Sequence, residues 1–129
     1  MNRILGIGLD LVDVDRFALA LERHGEPFVA RICRDGESKP LAGRARSTHL
    51  AGLFAAKEAA MKALGTGWAA GVGFRQIEVA RDGAGAPALR LHGAAEARAL
   101  SLGVERTHVS ITHDGKSAVA VVILEGDPD

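Results

Sequence analysis

The chain has 129 residues, with sixteen basic and sixteen acidic side chains. That is enough for one domain with its own core, and no net charge recruits nucleic acid. With 47% hydrophobic and 25% charged residues it is not disordered, no run approaches the roughly 20 apolar residues of a membrane span, and the lone Cys33 excludes both an intrachain disulfide and a thiolate metal cluster.

Residues 3–12 read as a strand, with Ile4, Leu5, Ile7, Leu9, Leu11 and Val12 apolar. Such near-continuous apolarity predicts cover on both faces. Asp13 is placed to cap a helix whose stripe is Val14, Phe17, Ala18 and Leu21, ending near Gly25, and Phe28, Val29 and Ile32 suit a second short helix. The Gly-, Pro- and charge-rich stretch 34–47 reads as a mobile loop. Ser47 or Thr48 then caps a long helix that runs to Leu64 and stops at Gly65.

The second half alternates differently. A strand over 74–80, a turn cluster over 81–87 and a strand over 88–92 precede a helix over 94–102 that ends at Gly103. Residues 107–112 and 117–124 predict a hairpin around a two-residue Asp114-Gly115 turn, and the tail 126–129 is expected to fray. The order indicates one α+β domain spanning 1–129, with helices on a largely antiparallel sheet. The opening residues lack the apolar core of a signal peptide, so a cytoplasmic protein is expected.

Three segments carry chemistry. Asp10 stands in an apolar strand between Leu9 and Leu11, where a carboxylate needs a partner; it either shares a helix cap with Asp13 or ligates a hard cation. On the long helix, Lys57 falls within the apolar stripe, either snorkelling outward or meeting a phosphate in a cleft. Glu58 and Lys62, four apart, make an ordinary helical pair, or they work with Lys57 and the following Gly65-Thr66-Gly67 turn, whose N–H groups can approach a phosphate. Ser110-Ile111-Thr112-His113 closes a β-branched strand, with His113 the histidine best placed to meet a ligand. Neither a nucleophile elbow, a P-loop nor a dinucleotide fingerprint is present.

Gly6-Ile7-Gly8-Leu9-Asp10 with Arg16, Phe54-Ala55-Ala56-Lys57-Glu58-Ala59 with Lys62, and Ser110-Ile111-Thr112-His113 together resemble the signature blocks of the holo-acyl-carrier-protein synthases, the short stand-alone 4′-phosphopantetheinyl transferases. The resemblance implies a homotrimer with active sites between subunits. It also implies transfer of 4′-phosphopantetheine from coenzyme A to a serine of apo acyl carrier protein, with magnesium required and 3′,5′-ADP released. Carried onto this chain, it makes Asp10 and Glu58 the magnesium ligands and places Lys62, with Lys57 and Gly65, at the coenzyme A phosphates. His113, beside Thr112, reaches the 3′-phosphate from a neighbouring subunit, and Arg16 and Arg23 face the acidic carrier. Leu53 stands where many relatives have Arg, and the 34–46 loop is more Gly/Pro-rich than theirs. A non-catalytic coenzyme A- or nucleotide-binding trimer and a magnesium-dependent diphosphate hydrolase are the alternatives.

Overall fold

The apolar run near the N-terminus forms strand β1 (Arg3–Asp13). The computed structural model describes residues 1–67 and 69–129. β1 pairs antiparallel with β5 (Ser117–Gly126), which pairs antiparallel with β4 (Val104–His113), so β5 is central and β1 and β4 are edges. A separate two-stranded ribbon joins β2 (Ile77–Arg81) to β3 (Pro87–Leu91). Helix α1 (Val14–Ile32) follows β1, α2 (Gly43–Leu64) comes next, a 3₁₀ turn (Phe74–Gln76) leads into β2, and α3 (Gly93–Leu102) connects β3 to β4.

Helix α2 is the axis of the molecule. Thirteen of its residues are buried, including Leu50, Leu53, Met61 and Leu64, because it packs on the three-stranded sheet on one side and on α1 and β2 on the other. Against the sheet it presents small residues. Gly6 and Gly8 of β1 lie under it so closely that a Cβ would sit 2.2 Å from the Ala63 carbonyl oxygen and 1.7 Å from that of Ala59. Four phenylalanines join the opposite side: Phe17 packs on Phe28 and on Phe54 at centroid distances of 5.6 and 5.5 Å, and Phe54 on Phe74 at 5.1 Å.

Within one chain β1 is covered on one face only, not on both as expected. Gly6, Gly8, Asp10 and Val12 share the α2 side with buried Leu124, Val122, Ala120 and Ala118 of β5. Ile7, Leu9 and Leu11 lie on the other side, 62, 60 and 67% exposed. Val119, Val121 and Ile123 of β5 continue this open apolar face, because side chains alternate along a strand.

Other boundaries shift for local reasons. Asp13 caps α1 as expected, accepting from the Arg16 N–H at 2.9 Å, and the chain leaves helical geometry at Gly25 (φ 63°, ψ −151°) before resuming. Helix α2 starts at Gly43, with no side-chain cap, rather than at Ser47 or Thr48. The β4–β5 turn holds three residues, with Gly115 at φ 97° and Asp114 accepting from the Lys116 and Ser117 N–H groups. The tail is held at Asp127, whose N–H donates to Gly103 O and whose carboxylate meets the Met1 ammonium at 2.7 Å.

Candidate active site

Where β1 crosses α2, three charged side chains converge. Asp10 projects toward the helix because the strand alternation that places Gly6 and Gly8 there places Asp10 there too. The Lys62 ammonium donates to Asp10 Oδ1 and to the Leu9 carbonyl oxygen, both at 3.0 Å. Glu58, one helical turn before Lys62 and half-buried, is close enough to feel both charges. Burial, and then the Asp10 carboxylate, push the Glu58 carboxyl above its ordinary range, while Lys62 opposes them. Two hard oxygen donors held together in partial burial suit an oxygen-seeking divalent cation. Among the described residues, no group of three or more His, Cys, Asp or Glu is placed to hold a metal.

Lys57 is not in this cleft, and the expectation of a phosphate contact there is corrected. Its side chain is fully buried. The ammonium donates to Glu37 Oε1 at 2.7 Å, Ile32 O at 2.7 Å and Phe74 O at 3.2 Å, so all three of its donors are engaged within the protein. Burial pulls its pKa below the lysine range, and the hydrogen bond and charge of Glu37 oppose this. Glu37 accepts in addition from the Arg34 N–H at 2.6 Å and the Val79 N–H at 2.7 Å. The stretch expected to be a mobile loop is therefore fastened to α2 and β2 through one carboxylate. Glu37 went unread in the sequence, although a lysine in an apolar stripe signals that a buried acid must answer it.

Gly65 has a different task from the one expected. It ends α2 in the left-handed conformation (φ 74°), and its N–H donates to Lys62 O at 3.1 Å while that of Thr66 donates to Met61 O at 3.3 Å. Both amides are thus used to close the helix rather than aimed at a phosphate.

His113 lies elsewhere. It ends β4, across β5 from β1, and lines a cavity of about 660 Å³ between α2, the β2–β3 ribbon and the β4–β5 turn. Leu41, Leu53 and Ile111 give that cavity apolar walls, and Arg44, His49 and Arg81 join His113 at its polar edge. Arg44 bonds Asp15 and the Gly115 carbonyl, tying α1 to the β4–β5 turn. Thr112, one residue before His113, lies on the open sheet face instead. Within one chain, then, Asp10, Glu58 and Lys62 come together, and His113 and Thr112 do not join them.

Seven basic side chains stand against four acidic ones between positions 16 and 46, an excess that is smaller in space than in sequence. Arg44 pairs with Asp15, Arg46 with Glu26 at 2.7 Å, and Arg34 donates to Arg75 O at 2.7 Å. Arg16 and Arg23 remain without side-chain partners among the described residues, on one face of α1, with Leu19 between them 64% exposed.

A family model, the 4′-phosphopantetheinyl transferase superfamily, matches residues 6–122. Holo-[acyl-carrier-protein] synthase of Solidesulfovibrio magneticus is 54% identical over 123 residues, covering 95% of this chain and 99% of that one. The synthase of Nitratidesulfovibrio vulgaris is 51% identical over 122 residues, covering 95% and 98%. Among solved structures, the Bacillus anthracis synthase in complex with CoA (3′,5′-ADP) is similar with a TM-score of 0.79 and 36% identity, over 96% of this chain and 98% of that one. The Neisseria meningitidis synthase reaches a TM-score of 0.85 at 33% identity, over 95% and 98%.

Proposed function

Because the chain belongs to the 4′-phosphopantetheinyl transferase superfamily, we propose that its Asp10–Lys62–Glu58 cluster is where the 4′-phosphopantetheine of coenzyme A passes to a serine of apo acyl carrier protein. The observation that carries the placement is the convergence of two carboxylates and one ammonium at the β1–α2 crossing. The enzyme is a holo-[acyl-carrier-protein] synthase, a transferase acting on coenzyme A.

In the transfer, the serine oxygen attacks the β-phosphorus of coenzyme A and the bond to the leaving 3′,5′-ADP breaks. Such a reaction asks little covalent work of the protein, so positioning and charge stabilisation dominate. Asp10 and Glu58 would hold a magnesium ion, which when bound neutralises charge on the diphosphate oxygens. Lys62 adds an ammonium on the same side, half exposed and able to reach a phosphate. The serine proton would pass to a water oriented by Glu58.

His113 and its neighbours at the cavity's polar edge suit the 3′-phosphate, and the apolar walls, Leu53 among them, suit the adenosine. Since His113 and Asp10 are on opposite edge strands, a complete site takes His113 from one subunit and the acidic cluster from the next. The open face of Ile7, Leu9, Leu11, Val119 and Val121 supports that assembly, since apolar surface of this kind is buried in stable oligomers. Repetition of such a head-to-tail contact closes a homotrimer. Arg16, Leu19 and Arg23 would receive the acidic carrier, two charges steering it and the leucine docking on it. No helix among the described residues is long and apolar enough to cross a membrane, and catalysis in the cytoplasm fits these soluble substrates.

The test is intact-mass spectrometry of apo acyl carrier protein incubated with the enzyme, coenzyme A and magnesium. One phosphopantetheine should be added, and the gain should vanish in EDTA and in Asp10→Ala and Glu58→Ala. A full gain in either variant would remove that residue from the proposed centre. Absence of any gain despite coenzyme A binding would make the protein a binder.

A further inference from the structure

The Asp10 carboxylate has two claimants. Lys62 Nζ donates to Oδ1 at 3.0 Å and to the Leu9 carbonyl oxygen at the same distance. The carboxylate is largely buried, with side-chain exposure of 15%. Few other oxygens can therefore reach it. Glu58, the second carboxylate, already repels Asp10 and is drawn toward the same ammonium. The described residues offer no third acid or imidazole to complete the donor set of the cluster. A divalent ion arriving alone meets two carboxylates whose charge is half cancelled, and it must displace or face the Lys62 ammonium.

A ligand diphosphate changes this balance. Its oxygens supply the ligands and negative charge that the protein withholds, and they give Lys62 an alternative partner within reach of its flexible stem. We propose that Lys62 competes with the divalent cation for Asp10, so that the site takes the metal more tightly together with a diphosphate than alone. The inference rests on the placement of the metal at Asp10 and Glu58. It adds that Lys62 couples the two ligands, in addition to contacting phosphate. Coupling of this kind is reciprocal: whatever factor coenzyme A adds to metal affinity, metal adds to coenzyme A affinity.

Electron paramagnetic resonance of free Mn²⁺ tests this without turnover. The intact protein is titrated with Mn²⁺ alone and with saturating coenzyme A, and the binary Mn²⁺–coenzyme A complex is subtracted. In the wild type, coenzyme A should tighten Mn²⁺ binding by about tenfold or more, within the usual range of couplings between sites. Lys62→Met should tighten binding of the bare ion by about tenfold and reduce that difference by a like factor. Lys62→Arg should restore the wild-type pattern. Arg3→Gln, which removes an exposed positive charge elsewhere on β1, should change neither affinity. Bare-ion affinity that is unchanged or weaker in Lys62→Met, or a coupling factor that is undiminished there, overturns the proposal. An equal gain in Arg3→Gln also overturns it, since the effect would then be one of overall charge. If Asp10→Asn binds Mn²⁺ as the wild type does, it is the metal placement itself that fails.

Discussion

Lys57 and Glu58 are adjacent in sequence and have opposite fates. One helical step turns Lys57 into the interior, where Glu37 and two carbonyls meet it, and leaves Glu58 at the cleft beside Asp10. Removing one partner of a buried ion pair leaves the other uncompensated. Lys57→Met should therefore cost about 3–5 kcal/mol in urea unfolding. A loss near zero would mean that the pair contributes nothing to the fold. Lys62→Ala acts in the other direction. It should leave stability close to that of the wild type, since Lys62 is half exposed, and lower kcat/KM by about 10²–10³-fold. Rates of mass gain on the carrier measure the second effect. At this scale the sequence displayed the charged residues and their spacing, and the resemblance grouped Asp10, Glu58 and Lys62. The place of Lys57 in the apolar stripe was legible, but the acid that answers it was not, because Glu37 lies twenty residues away in a stretch without periodicity.

Among the elements, the contact of β1 with α2 governs the site. A Cβ on Gly8 would meet the Ala59 carbonyl oxygen at 1.7 Å, and backbone cannot yield as a side chain can. Gly8→Ala should destabilise the protein by about 3 kcal/mol or more, and in any folded fraction it should weaken Mn²⁺ binding, because Asp10 is two residues further along the same strand face. Calorimetry and the Mn²⁺ titration check the two parts. A second link joins β2 to the start of α3, where His92 Nε2 lies 2.9 Å from Glu78 Oε1. That hydrogen bond, with help from Arg90 and Arg34, holds the Glu78 carboxyl below its ordinary value of 4.5. The stability it contributes is complete above pH 4.5 and is lost as pH falls through the depressed native value. His92→Ala should thus narrow the gap in unfolding free energy between neutral and acid pH. For a partly exposed pair the narrowing should be a few tenths to about 1 kcal/mol. The elements were legible from their turn residues and apolar periods. The covering of β1 was not, since an edge strand that packs a helix on one face and bares apolar side chains on the other has the same composition as a strand buried on both.

For the whole molecule, the sheet divides the proposed site: the acidic cluster belongs to the β1 edge and His113 to the β4 edge, with β5 between them. Val121→Arg, in the middle of the open face, should yield monomers by size exclusion with light scattering and abolish transfer while α2 and its cluster stay folded. Asp10→Ala and His113→Ala, each inactive alone, should regain activity when mixed and allowed to exchange subunits. No recovery would mean that each chain builds its site unaided. This division carries an arithmetic of its own. Two subunits in head-to-tail contact complete one site and leave an acid edge and a histidine edge unmatched, whereas a closed ring of three matches every edge. In the proposed trimer, output per chain would be complete only on ring closure, two joined subunits supplying one site between them. Near the dissociation concentration of such a ring, activity per chain would rise with protein concentration, because mass action favours closure.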